Sequence, residues 1–481
     1  MEAGKGELRE YTLADDKGPQ DLLLRCKKGV FGTPAYVTEL EKALPIFGNA
    51  SFLLQTKDGR RIVAGSEHQF IVYDIINEKV LYEQETNYVY SMTLSPSQRY
   101  LQFLDKIDTN EGTTSLLDLH TLKIAGKFHE TVNSNYFLRT SYPLVHFSND
   151  DSLRFRYNDK TIEVYDEKNN MIRVIKTGPL LSFEVSRCST KENYVLACVW
   201  LDNKTNKGKM TCFNQQSDEP FYEKPINKAE EIKIKFSPTS NKFLIELQTY
   251  YDPSGKSYYG EFGLYLFNDQ INKIVKIKTA QGPVHDFAWD HTGKNFIVIS
   301  GFMPAEPVLY SENLEALFEF GKQHKNNVIW GNLGRLVCLA GFGNLNGEMD
   351  IWDIKERKRI GSCKSNSASH CEWSPEDRKL LTAILTPRLR VDNCYKVFSY
   401  TGVLLHKANY DHTELYEAVW RRSNNYALED ARGLSPGRKS GGEVKEEAKF
   451  KSFGASLNFD AFNDNYAAKK ETTKLAPGQH P

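Results

Sequence analysis

The chain has 481 residues, 40% hydrophobic and 12% aromatic, with 62 basic and 62 acidic side chains that cancel to a formal charge of zero. That length argues against one ordinary compact domain, and the balanced charge excludes a global field directed at nucleic acid or membrane. Any nucleic-acid contact must therefore use a local patch.

The first stretch, residues 1–20, is polar, contains Gly and Pro, and lacks an apolar signal core, so it is expected to be a flexible N-terminus. Strands are expected at Leu22 to Arg25, Val30-Phe31 and Tyr36 to Leu40. Phe52 to Leu54, the turn Lys57-Asp58-Gly59 and Arg61 to Ala64 read as a hairpin.

From there one pattern recurs. An apolar strand ends in a large residue, a turn follows, and a second apolar strand comes after it. Instances are Met92 to Leu94 before Ser95-Pro96, Val145 to Phe147, Phe183 to Val185, Ile234 to Phe236, Phe287 to Trp289, Val328 to Trp330, Cys371 to Trp373 and Ala418 to Trp420. With the hairpin near Leu54 there are about nine units at a spacing of roughly 40–50 residues, the period of a four-stranded propeller blade. Most units carry a later strand that ends in an apolar residue and a turn former: Tyr73-Asp74, Leu117-Asp118, Tyr165-Asp166, Phe267-Asn268, Trp352-Asp353 and Phe398-Ser399.

The expected fold is therefore all-β, a WD40-like propeller of nine blades over residues 21–425. The ninth unit supplies only one clear strand, so the early strands should complete it and close the ring. After Asn425 the hydrophobic runs vanish, and residues 426–481 are expected to form a disordered tail. Leu457 to Phe462 within it reads either as a docking motif or as a few aromatics in an unbound tail.

Eight scattered cysteines, with no Cys-x-x-Cys pair and no completing His set, read as small hydrophobes in a reducing compartment. No apolar run reaches the roughly 20 residues needed to span a bilayer, so a cytoplasmic protein without a membrane partner is expected. Signatures of catalysis are missing. There is no His-Glu-x-x-His. Gly255-Lys256-Ser257 lacks the preceding glycine of a phosphate loop, since that position is Tyr250. Gly341, Gly343 and Gly347 precede a strand and suit a tight turn better than a dinucleotide site. A non-enzyme with no cofactor and no metal is expected.

Several segments go beyond generic propeller grammar. They are Gly255 to Glu261, Gly301-Phe302-Met303-Pro304-Ala305, Leu339 to Leu345 with its Gly341-Phe342-Gly343-Asn344 turn, Thr386 to Asn393, Tyr400-Thr401-Gly402 and Glu414-Leu415-Tyr416. In this order and spacing they resemble the eukaryotic translation initiation factor 2A family, closely over about residues 250–420 and collinearly from about 20 to 250. The resemblance implies a nine-bladed propeller and a non-enzymatic, monomeric factor. It implies binding to the RNA and proteins of the small ribosomal subunit and codon-dependent delivery of initiator methionyl-tRNA without GTP. Selected messages would be engaged indirectly, alongside other initiation factors. The family's long Lys-rich extension after the propeller has no counterpart in the mixed-charge tail here.

Two other readings compete. One is the propeller subunit of translation initiation factor 3, which normally carries an RNA-recognition domain ahead of its propeller. The other is a protein-interaction scaffold with no RNA role.

If ribosomal RNA is the target, Lys and Arg must meet its phosphates. Arg388 and Arg390 are the first candidates. On an extended segment both guanidiniums would lie on one side, although they could instead pair with carboxylates between blades. Tyr258 and Tyr259 could stack on a base or cover the top of the ring. Lys322, His324 and Lys325 form a basic turn, a candidate for phosphate contact that reads first as a plain solvated turn. The turn of Gly341, Phe342, Gly343 and Asn344 looks structural or partner-binding.

Overall fold

The structure, a computed structural model, describes residues 21–106, 111–131, 145–158, 160–202, 207–226, 231–249, 261–410 and 412–422. The segment 1–20, the tail 426–481 with its Leu457 to Phe462 island, and the Gly255 loop with Tyr258 and Tyr259 lie outside these residues. The chain divides into two units, 1–433 and 434–481, and everything described belongs to the first.

Nine four-stranded antiparallel sheets form the nine blades of a propeller. Their inner strands, for blades 1 to 9, are Phe52–Gln55, Val89–Leu94, Val145–Phe147, Leu180–Val185, Glu231–Phe236, Val284–Trp289, Asn327–Trp330, His370–Trp373 and Leu415–Trp420. Each of the nine sequence units supplies one of them.

The ring closes as expected. Blade 9 takes its inner strand from Leu415–Trp420 and its other three from the N-terminal side. Leu22 pairs with Trp420, Leu23 with Val419 and Leu24 with Ala418, antiparallel. Leu22 and Leu24 are fully buried against Leu381, Tyr395 and Val397 of blade 8. Burying one such side chain contributes about 1.5–3 kcal/mol, so the junction of the chain ends is held by apolar packing as well as by the ladder.

One expected strand is absent. Residues 36–39 form the end of a turn and an irregular stretch, followed by a short 3-10 helix Leu40–Lys42, and the outer strand of blade 9 is Leu44–Phe47. Pro34 explains the break, because it has no N–H to give a ladder. Ala35 N donates instead to Asp21 Oδ2 at 3.3 Å, and Tyr395 Oη of blade 8 donates to Val37 O at 2.9 Å. The segment packs onto the neighbouring blade.

The turn formers act as their chemistry suggests. Asp118 Oδ1 accepts the backbone N–H groups of His120 and Thr121 at 2.8 and 3.2 Å, while Arg99 Nε donates to its other oxygen at 3.1 Å. Burial opposes the charge, but these hydrogen bonds hold the Asp118 carboxyl below the usual range. Asp74 with Arg60 and Asp353 with Arg335 repeat the arrangement. Two further third strands that the sequence pattern missed end the same way, with Asn214 accepting from Gln216 N and Ser311 Oγ from Asn313 N and Glu315 N.

Neighbouring blades are also tied near the channel. Trp289 Nε1 donates to Lys235 O at 2.9 Å, Trp330 Nε1 to Ala288 O at 3.2 Å, and Trp373 Nε1 to Ile329 O at 3.0 Å. In each case the acceptor belongs to the preceding blade. Trp420 occupies the equivalent place in blade 9, but its indole N–H is buried without an acceptor.

Candidate functional site

Strand direction alternates within each blade. Connections between second and third strands, and from an outer strand to the next inner strand, therefore emerge on one rim, here called the upper rim. First-to-second and third-to-outer turns emerge on the lower rim. Hydrogen bonds tie the upper connections together: Gly301 N donates to Pro283 O at 2.9 Å, Asn326 N to Ala340 O at 2.8 Å, and Thr386 N to Leu415 O at 2.8 Å. Gly301 to Ala305 in blade 6, Gly341 to Gly347 in blade 7 and Thr386 to Asn393 in blade 8 all join second to third strands. Most of the distinctive sequence segments thus share the upper rim.

The blade 7 turn is built by its glycines and by one amide. Gly343 and Gly347 have φ of +80° and +78°, left-handed backbone that glycine adopts without strain. A Cβ on Gly341 would come within 2.3 Å of His324 O, so only glycine fits beneath the neighbouring connection. Asn326 then clamps the turn. Its Oδ1 accepts Phe342 N and its Nδ2 donates to Phe342 O, each at 2.9 Å. Phe342 is buried, whereas Gly343 and Asn344 are exposed.

Arg388 and Arg390 are both exposed, but the segment is not extended. Thr386 to Arg388 turns back, with Leu389 N donating to Leu385 O at 3.2 Å. Strand alternation does not apply, and the two guanidiniums part company. Arg388 reaches toward blade 7, its Nη2 3.8 Å from where a Cβ on Gly343 would stand. Arg390 lines a cleft of about 370 Å³ between blades 8 and 9. Among the described residues neither arginine makes an ion pair.

The basic turn of blade 7 is split. Lys322 is exposed and pairs loosely with Glu306 at 3.1 Å. Lys325 corrects the expectation of a solvated cation. Its side chain is 4% exposed and its Nζ lies 3.2 Å from Asp350 Oδ2. That ammonium is committed inside blade 7 and is unavailable to a phosphate.

Four further rim residues stand outside the candidates read from the sequence. Lys27 and His412 are exposed and line the same cleft as Arg390. Val391 is 68% exposed and Phe302 51% exposed, large apolar groups facing solvent on the rim. Val391 and Phe302 lie inside the distinctive segments, which was the available signal. For Lys27 the available signal was the expected ring closure, which sets the strand Leu22–Cys26 beside Leu415–Trp420.

Residues 224–418 match the family model described as eukaryotic translation initiation factor eIF2A. The chain is 29% identical to Eukaryotic translation initiation factor 2A of Dictyostelium discoideum over 392 residues, covering 79% of this chain and 64% of that protein. It is 35% identical to Eukaryotic translation initiation factor 2A of Saccharomyces cerevisiae over 210 residues, 42% of this chain and 32% of that protein. It thus spans less than two thirds of either relative. A more distant likeness, at 21% identity over 337 residues, is to a component of eukaryotic translation initiation factor 3 from Xenopus laevis, covering 68% of this chain and 47% of that protein. A solved structure titled "Crystal structure of the eukaryotic initiation factor" superposes with a TM-score of 0.70 at 21% identity, covering 85% of this chain and 100% of that one, and supports the propeller fold.

Proposed function

From a chain that belongs to the eukaryotic translation initiation factor 2A family, we propose a non-enzymatic initiation factor whose upper rim docks on the small ribosomal subunit. In this reading it promotes codon-dependent, GTP-independent delivery of initiator methionyl-tRNA on selected messages, as a cytoplasmic monomer acting with other initiation factors.

The observation that carries the reading is the state of the rim cations. Arg388 and Arg390 stand exposed on the same rim as the distinctive turns and have no ion pair among the described residues. Such guanidiniums can grip phosphate bidentately, and contacts of this kind make binding weaken as salt rises. The exposed apolar groups Phe302 and Val391 on the same rim suit contact with protein or base. Both ribosomal RNA and ribosomal protein fit this mixture.

The test is co-sedimentation with isolated small subunits across a salt series, with wild type and the Arg388→Glu/Arg390→Glu variant. Saturable, salt-sensitive binding that the variant loses supports the reading. Equal binding by the variant would make the propeller a scaffold whose partners use another surface.

A further inference from the structure

The cleft between blades 8 and 9 exists only because blade 9 joins the strand Leu415–Trp420 to the strands from Leu22 onward. Lys27 comes from the turn after Leu22–Cys26, Arg390 from the blade 8 connection, and His412 and Glu414 from the connection into Leu415–Trp420. Its floor is rigid. Asn393, 2% exposed, accepts the Thr386 hydroxyl at 2.9 Å and Leu415 N at 3.1 Å on Oδ1, and donates from Nδ2 to Leu389 O at 2.8 Å. Its carbonyl accepts Tyr410 N at 2.8 Å, and Lys27 N donates to Glu414 O at 2.9 Å.

The lining pairs two kinds of group. Lys27 and Arg390 supply exposed cations that make no ion pair among the described residues, and His412 adds an exposed imidazole. Asp392 and Glu414 supply carboxylates in the same wall, Glu414 Oε2 also accepting the Tyr416 hydroxyl at 2.8 Å, with Val391 exposed at the side. A purely anionic ligand would not want the carboxylates, and a purely cationic one would not want the arginine. At about 370 Å³ the cleft falls within the range of small-ligand sites. A nucleotide satisfies both requirements, since its phosphate matches Lys and Arg while a base edge rich in N–H groups matches a carboxylate. Guanine offers two adjacent N–H donors, the fit to a carboxylate's two oxygens.

We infer that this cleft takes one unstacked nucleotide of single-stranded RNA, with its phosphate on Arg390 and Lys27 and a guanine base edge on the Asp392 and Glu414 carboxylates. Splayed-out bases read at their edges are the usual target of sequence-dependent RNA binding. The inference rests on the RNA-contacting reading above and adds a base preference to it.

The test uses full-length protein and two fluorescein-labelled RNAs about ten nucleotides long, an oligouridylate and the same oligomer with one central guanosine, read by anisotropy. The guanosine-bearing RNA should bind about tenfold more tightly. Arg390→Glu should weaken both RNAs by about tenfold and flatten the salt dependence. Asp392→Asn with Glu414→Gln should equalise the two RNAs, because each amide has one acceptor oxygen in place of two. Asn also suits the φ of +57° at position 392. Lys294→Glu, exposed on the lower rim, should change nothing, and circular dichroism checks that each variant is folded. Equal affinity for the two RNAs in wild type, or no binding of either, overturns the inference. If small subunits still co-sediment in that case, the cleft assignment falls alone. If the RNAs are discriminated while ribosomal particles do not bind, the cleft stands and the initiation-factor reading falls.

Discussion

Asp377 of blade 8 caps the chain of blade 7 at Asn332: Asn332 N donates to Asp377 Oδ1 at 2.7 Å, and Leu333 N to Oδ2 at 2.7 Å. The carboxyl is 3% exposed, and burial, outweighing these hydrogen bonds, pushes it up to about 6. An acid that holds its proton more tightly when folded stabilises the native state most below its unfolded value of 3.8, and that stability is lost as pH rises toward about 6. The loss amounts to at most about 3 kcal/mol. Urea unfolding of wild type and Asp377→Asn at several pH values should give a stability difference that changes between about pH 4 and 6.5. A flat difference would show that Asp377 does not titrate in this window.

The tryptophan ties offer an internal comparison. Trp373 and Trp420 are buried alike, at 4% and 5% exposure, but only the Trp373 indole N–H has an acceptor. Replacing each by Phe removes similar volume. Trp373→Phe should cost about 1 kcal/mol more than Trp420→Phe, the worth of one ordinary hydrogen bond. Denaturant midpoints of the two variants, converted with a common slope, measure this directly.

Lys325 and Asp350 should behave as an interior pair. Lys325→Met leaves the Asp350 carboxylate with Arg359 as its remaining charged neighbour, at 3.4 Å, and should destabilise the fold by about 3 kcal/mol. Lys325→Met/Asp350→Asn should recover most of that loss. Neither variant should alter the salt dependence of ribosome association. A change in that dependence with stability restored would return Lys325 to the binding surface.

Asn326→Leu removes both hydrogen bonds to the Phe342 backbone, at a cost of about 2 kcal/mol. The turn from Gly341 to Leu345 should exchange its amide hydrogens faster, while the lower-rim turns keep their protection. Should the two rims loosen equally, the clamp would be a general support of blade 7 and not a positioning device for the turn.

The ring is legible in the chain itself. Strand alternation, the large residue that ends each inner strand, and Asp, Asn or Ser at the third strand's end are local signals, set by the pleat and by side-chain hydrogen bonds to nearby backbone. They mark nine units and, from one short unit, the closure of blade 9. Tyr36 to Leu40 misleads because the segment is held by contacts to blade 8, the Val37 carbonyl by Tyr395 Oη and the Tyr36 ring edge-on to His406, and not by a sheet ladder of its own. Charge is less legible than topology. Lys322 and Lys325 look alike in the chain, yet one is exposed and the other sits against Asp350, since burial and pairing depend on residues that other strands bring in. The same holds for Arg388 and Arg390, which a turn sends to different neighbours, and for the cleft, where Lys27 and Arg390 meet only because the two ends of the chain share a blade. Local chemistry along the chain determined the architecture. The identity of the free charges was decided by packing between blades, where the low polarity of the interior forces each buried charge to find a partner and leaves the others to solvent.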